Sequence, residues 1–202
     1  MKRNMENREI EQIANDLLAK YVKRGGSYKV FNEIMAAEGI KFRKINSLNS
    51  NFVGALTKYT NGQPYIMINS SIDNDGRTHF TIAHELGHYF LSHQLTQNSF
   101  YCLEEEIVEE GIWQNSIEQE ANYFASYFLM PTQKITNAFL AMLQNSRKAK
   151  VKDYLHVENN YTFGIWCGIR DALTKRYGVS EAALRYRLQQ LNLVKFKFTK
   201  GD

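Results

Sequence analysis

Five consecutive residues, His84-Glu85-Leu86-Gly87-His88, constrain this chain more than any other feature. They spell H-E-x-x-H, a pattern that has a mechanism only on a helix. Positions four apart on a helix sit one turn above each other, so His84 and His88 project from one face. Two imidazoles so placed can occupy two corners of a Zn²⁺ tetrahedron. Glu85 falls on the flank of that face, where its carboxylate can act as general base on a water whose pKa the metal lowers to about 7. The flanking residues Phe80-Thr81-Ile82-Ala83 and Tyr89-Phe90-Leu91 extend the motif into one buried helix, with Asn74, Asp75 or Thr78 as its cap. Gly87, which costs a helix interior about 1 kcal/mol relative to alanine, marks a turn where backbone or substrate approaches closely.

A hydrolytic zinc site needs a third protein ligand and an open fourth position. A metzincin continuation would need glycine at 91 and histidine at 94, but these are Leu91 and Gln94. His93 lies about 140° round the helix from His88 and points away. His79 also falls on the far side, and His156 is remote and without a motif. The better source is Ile117-Glu118-Gln119-Glu120-Ala121-Asn122-Tyr123-Phe124-Ala125, a second helix that runs on to Met130 and stops at Pro131. Glu118 and Asn122 share a face: Glu118 can be the third ligand, and Asn122 can bond the non-metal nitrogen of a ligand histidine. Glu120, on another face, is the second choice. The run Glu104-Glu105-Glu106 with Glu109-Glu110 offers further carboxylates but reads as a solvated loop. Mn²⁺ or Fe²⁺ fits the same ligand types.

Three ordered segments, FTIAHELGHYFLSH (80–93), IEQEANYFASYFLMP (117–131) and YGVSEAALRYRLQQLNLV (177–194), resemble the ImmA/IrrE family of bacterial metallopeptidases. In that family the metal helix is followed by a Glu-x-x-Ala-Asn/Asp helix ending in Leu-Met-Pro, and later by a Gly-Val-Ser segment with an Arg-Leu helix. The resemblance implies Zn²⁺ held by His84, His88 and Glu118, with Glu85 catalytic. It implies an α+β, zincin-like core, a small mixed sheet with helices. It also implies a protein substrate, a helix-turn-helix repressor or antitoxin whose cleavage switches gene expression. Too few residues follow 194 for the sensor domain that some members carry, so sensing through one is not expected. Two other readings stand beside a protease: a zinc-containing module that binds DNA or a partner without turnover, and a zinc hydrolase acting on non-protein substrates.

Composition narrows the setting. No run of eighteen apolar residues exists and the first twelve residues hold no apolar signal core, so a cytoplasmic protein is expected, with no membrane partner. Cys102 and Cys167 are far apart and read as free thiols. The net charge of +4 conceals an asymmetry: residues 1–146 sum to −3 and residues 147–202 to +7. We therefore divide the chain into a peptidase domain, 1–145, and a basic helical segment, 146–202.

Apolar spacing predicts helices over 5–23, 28–38, 132–145, 162–177 and 180–191, and a strand over 40–45. A hairpin of 53–59 and 64–68 turns at Asn61-Gly62. One of its strands is expected to be a sheet edge that takes up substrate backbone by strand addition. The pair 162–177 and 180–191, with Gly178 at the turn and Ser180 as cap, resembles a helix-turn-helix. Arg185 and Arg187 would then face DNA or a partner, with Lys195 and Lys197 near phosphates. The competing reading, which we favour over DNA binding, packs the stripe Val179, Ala183, Leu184, Leu188 and Leu191 on the peptidase body or a partner. Tyr89, Tyr123 and His93 are left as candidates for oxyanion stabilisation.

Overall fold

The first helix begins where its sequence caps itself. Glu6 and Glu9 form a reciprocal capping box, and α1 (Asn7–Tyr21) buries Ile10, Ala14, Leu17 and Leu18, a stripe at helical spacing. In the computed structural model, which describes residues 5–47, 49, 51–93, 99–103, 116–146 and 153–197, this stripe packs on the helix that carries Glu118. The expected helix over 28–38 is two pieces: a 3₁₀ turn, Ser27–Val30, and α2, Phe31–Ala37. Gly39 follows at φ 67°, a left-handed position that favours glycine.

The strands β1 (Lys41–Ile45), β2 (Phe52–Lys58), β3 (Pro64–Asn69) and β4 (Ser99–Leu103) form a mixed sheet in the order β1-β3-β2-β4 among the described residues. β2 and β3 make the predicted hairpin, with Leu56 opposite Ile66. β1 runs parallel to β3, and β4 runs antiparallel to β2. Both hairpin strands are thus interior, and the expectation that one is a substrate-binding edge is overturned. Their outer hydrogen bonds are taken by strands far away in sequence.

The metal helix α3 (Asp75–Phe90) is capped by Asn74, whose side chain accepts from the Arg77 amide at 2.9 Å. It lies between the sheet and α4 (Ser116–Leu129), and every residue from Phe80 to His88 is buried. Gly87 explains itself here. A Cβ at that position would stand 3.1 Å from the Ala121 carbonyl oxygen, so glycine lets the two helix backbones cross closely.

After α5 (Thr132–Ser146) come β5 (Leu155–Val157), α6 (Asn160–Tyr177), α7 (Glu181–Gln190) and β6 (Val194–Phe196). The short β5 and β6, unforeseen in the sequence, pair in parallel. Gly178 closes α6 at φ 64°, and the Ser180 hydroxyl caps α7 through the Ala183 amide. One apolar cluster runs from Ile10 on α1 through Phe124 and Phe139 to Leu184 and Leu188 on α7. The stripe on α7 is therefore packed inward, as the favoured reading has it.

That packing corrects the role proposed for Arg187. Arg187 is 1% exposed. It donates to the Met130 carbonyl, the Thr132 hydroxyl and Gln190 Oε1, and lies over the Tyr127 ring at 5.6 Å. No nucleic acid or partner can reach it without unfolding the helix. Arg185 stays exposed, stacked 4.1 Å over Phe196.

Candidate metal centre

Two helices and one strand build the site. His84 and His88 leave α3 one turn apart, and Glu118 comes from the first turn of α4. The His84 and His88 Nε2 atoms are 2.9 Å apart, and Glu118 Oε2 is 3.1 Å and 3.3 Å from them. Three donors bound to one tetrahedral ion at about 2.0–2.1 Å would stand roughly 3.3 Å from each other. All three side chains are buried and offer one ligand atom each within a 4.8 Å cluster. The donor set fits a zinc ion.

Glu85, fully buried, sits on the same helix against β2. A Cβ built on Gly54 would stand 2.5 Å from Thr81 and 3.3 Å from Glu85 Oε1. Gly54 thus lets the strand pass close beside the carboxylate. A glycine inside a strand pattern is the signal that could have flagged it.

The outer nitrogens of both histidines are engaged. His84 Nδ1 lies 2.9 Å from Asn122 Oδ1, which accepts its proton and leaves Nε2 bare toward Glu118. His88 Nδ1 meets His93 Nδ1 at 2.9 Å, and His93 Nε2 donates to Glu120 Oε2 at 3.0 Å. The helical-wheel argument that turns His93 away fails because the helix ends at Phe90. Ser92 at φ 53° reverses the chain and folds His93 back beneath His88. Glu120, the second-choice ligand, serves His93 rather than the donor cluster, and its Oε1 accepts from the Met5 amide.

The three oxyanion candidates are occupied elsewhere. The Tyr123 hydroxyl donates to Glu11 at 2.5 Å; burial, aided by that carboxylate, pushes its pKa up to about 12. The Tyr89 hydroxyl faces Glu38 at 3.5 Å, and His93 serves His88. His79 stacks on Tyr28 and bonds the Gly178 carbonyl, and His156 contacts Tyr154 on the β5 side. The acidic residues 104–106 and 109–110 and the side chain of Cys102 lie outside the described residues; Cys167 is a free thiol.

Burial dominates the electrostatics. It pushes the His88 imidazole from 6.5 down to about 4, against the opposing pull of the Glu118 carboxylate. For Glu118 burial alone would raise the pKa, yet the His84 and His88 imidazoles, when protonated toward it at low pH, hold it well below the usual carboxylate range. His88 is therefore neutral at pH 7, as a ligand must be. A folded pKa below the unfolded one contributes stability above pH 6.5 that is lost as pH falls toward about 4. Glu118 acts with the same sign at lower pH. We expect metal-free protein to lose about 3 kcal/mol of unfolding free energy through this window. Urea midpoints of chelator-treated protein at pH 7 and pH 4.5 check this; equal midpoints would refute it.

The M78 peptidase family, described as the IrrE N-terminal-like domain, matches residues 36–189. The chain belongs to this family. Metallopeptidase ImmA of Bacillus subtilis (strain 168) is 33% identical over 101 residues, half of this chain and 53% of that protein. A Mycobacterium tuberculosis transcriptional regulator superposes with a TM-score of 0.57 over 90% of this chain and 46% of its own, at 16% identity, a likeness of fold alone. The match thus spans about half the length of both relatives. M78 membership agrees with the mixed α+β, zincin-like architecture and its helical C-terminal part. Among the described residues no helix is long and apolar enough to cross a membrane.

Proposed function

We propose that this M78 member is a cytoplasmic zinc endopeptidase that cleaves one specific protein partner, a helix-turn-helix transcriptional repressor or antitoxin. The observation that carries the reading is the convergence of His84, His88 and Glu118 donor atoms beside the buried Glu85. A zinc ion there would supply Lewis acidity, lowering the pKa of a water and polarising the scissile carbonyl. Glu85 accepts a proton from the attacking water and delivers it to the leaving amine. His84 and His88, neutral and oriented by Asn122 and His93, keep their ligand nitrogens bare. Substrate backbone adds to a strand that is outermost among the described residues, β4 being the end neighbour there of the β2 strand that flanks Glu85. The free Cys167 thiol suits a reducing compartment.

The test is direct. Zinc-loaded protein is incubated with each helix-turn-helix regulator encoded beside its gene, and the products are read by intact mass. One regulator is expected to yield two fragments whose masses sum to the parent plus one water, and chelator should stop the reaction. Intact regulators that nevertheless co-elute with the protein would favour the second reading, a partner-binding module without turnover.

A further inference from the structure

We propose that His93 and Glu120 are positioning residues that dictate which His88 nitrogen faces the metal. The inference rests on the metal-centre reading above and deepens it. A carboxylate accepts hydrogen bonds, and Glu120 Oε1 already takes the Met5 amide, so the His93 nitrogen 3.0 Å from Oε2, Nε2, is the donor. A neutral His93 then has a bare Nδ1. That bare nitrogen, 2.9 Å from His88 Nδ1, requires a proton on the His88 side. His88 Nε2 is thereby left bare and aimed at His84 Nε2 and Glu118 Oε2.

Each link is buried: His93 and Glu120 are 8% and 9% exposed. Water therefore competes poorly for these hydrogen bonds. The other end of the chain is held as well, because Glu120 Oε1 accepts the Met5 amide just ahead of α1. His84 reaches the same end by a shorter route, with Asn122 Oδ1 as the acceptor on its Nδ1. The two ligand histidines are thus oriented by different devices from the same helix, α4. A histidine bonded to a carboxylate stands behind one, an amide behind the other.

That difference supplies the test. Zinc affinity is measured by competition with a chromogenic chelator for wild type, His93→Leu, His93→Asn and Glu120→Gln. Melting of each metal-free protein reports folding. His93→Leu deletes the acceptor and is expected to weaken zinc binding 10- to 100-fold. His93→Asn places an amide oxygen where Asn122 already works for His84, and should recover affinity to within about threefold of wild type. Glu120→Gln can present its NH₂ to His93, no longer forbids the wrong tautomer, and should cost about tenfold. The rise in melting temperature on adding zinc should shrink in the same order. The proposal is overturned if His93→Leu, or Glu120→Gln should His93→Leu not fold, holds zinc as tightly as wild type. It is equally overturned if His93→Asn is as weak as His93→Leu, because the role would then be mere packing. Failure of the wild type itself to bind zinc would instead remove the metal reading on which the inference stands.

Discussion

Replacing Glu85 with glutamine is expected to lower cleavage of the partner by about three orders of magnitude while the protein keeps its zinc. The side chain keeps its size and its buried place beside Gly54, so packing survives. The amide cannot accept a proton at neutral pH, so the one function lost is that of the base. Metal is retained because Glu85 is not among the clustered donors, which are His84, His88 and Glu118. Single-turnover kinetics on the cleaved regulator, with metal content measured in parallel, separate the cases. Unchanged turnover would place the base elsewhere. Loss of zinc would make Glu85 part of the metal's support instead.

The second large effect concerns Gly76, in the first turn of the metal helix. Helix propensity alone predicts that alanine there would stabilise the protein by up to about 1 kcal/mol. The structure predicts the opposite. A Cβ on Gly76 would stand 2.3 Å from the Ser180 amide nitrogen and 2.4 Å from the Val179 carbonyl carbon, both backbone atoms. Neither can turn aside, so the α6–α7 turn must move off the start of α3. That movement also pulls on the hydrogen bond between His79 and the Gly178 carbonyl. Gly76→Ala should therefore destabilise by about 2–3 kcal/mol in a denaturant titration. A gain in stability would show that the turn is free to shift.

What could be read from the chain beforehand divides along the range of the forces involved. Gly178 and Ser180 act on amides or backbone angles a few residues away, so their roles are visible in the sequence, whereas the cap of α3 is narrowed there only to Asn74, Asp75 or Thr78. The apolar spacing of Ile10, Ala14, Leu17 and Leu18 likewise announces a helix face without needing a partner. β4, β5 and β6 were not legible, because the last two are three residues long and all three acquire meaning only from distant strands. Those neighbours also turned the hairpin from an edge into the middle of the sheet. In the site, His84, His88, Glu118 and Asn122 follow from spacing four apart on two helices. His93 escaped because the wheel assumes a helix that in fact stops at Phe90. Arg187 escaped because its partners, Met130 and Thr132, lie 57 and 55 residues away. Counted as a surface charge, it made the C-terminal segment look more available to an anionic partner than its exposed side chains are.

The contact between Gly76 and the Val179–Ser180 turn also has a temporal side. A ribosome delivers the chain from its amino end, so His84, Glu85, His88 and Glu118 have all emerged before residue 178 is made. The donors that would hold the metal thus come from earlier chain than the turn that braces the first turn of α3, the helix of His84 and His88. A nascent chain halted between Met130 and Tyr177 carries all four residues, His84, Glu85 and His88 on α3 and Glu118 on α4, before the turn that braces the start of α3 exists.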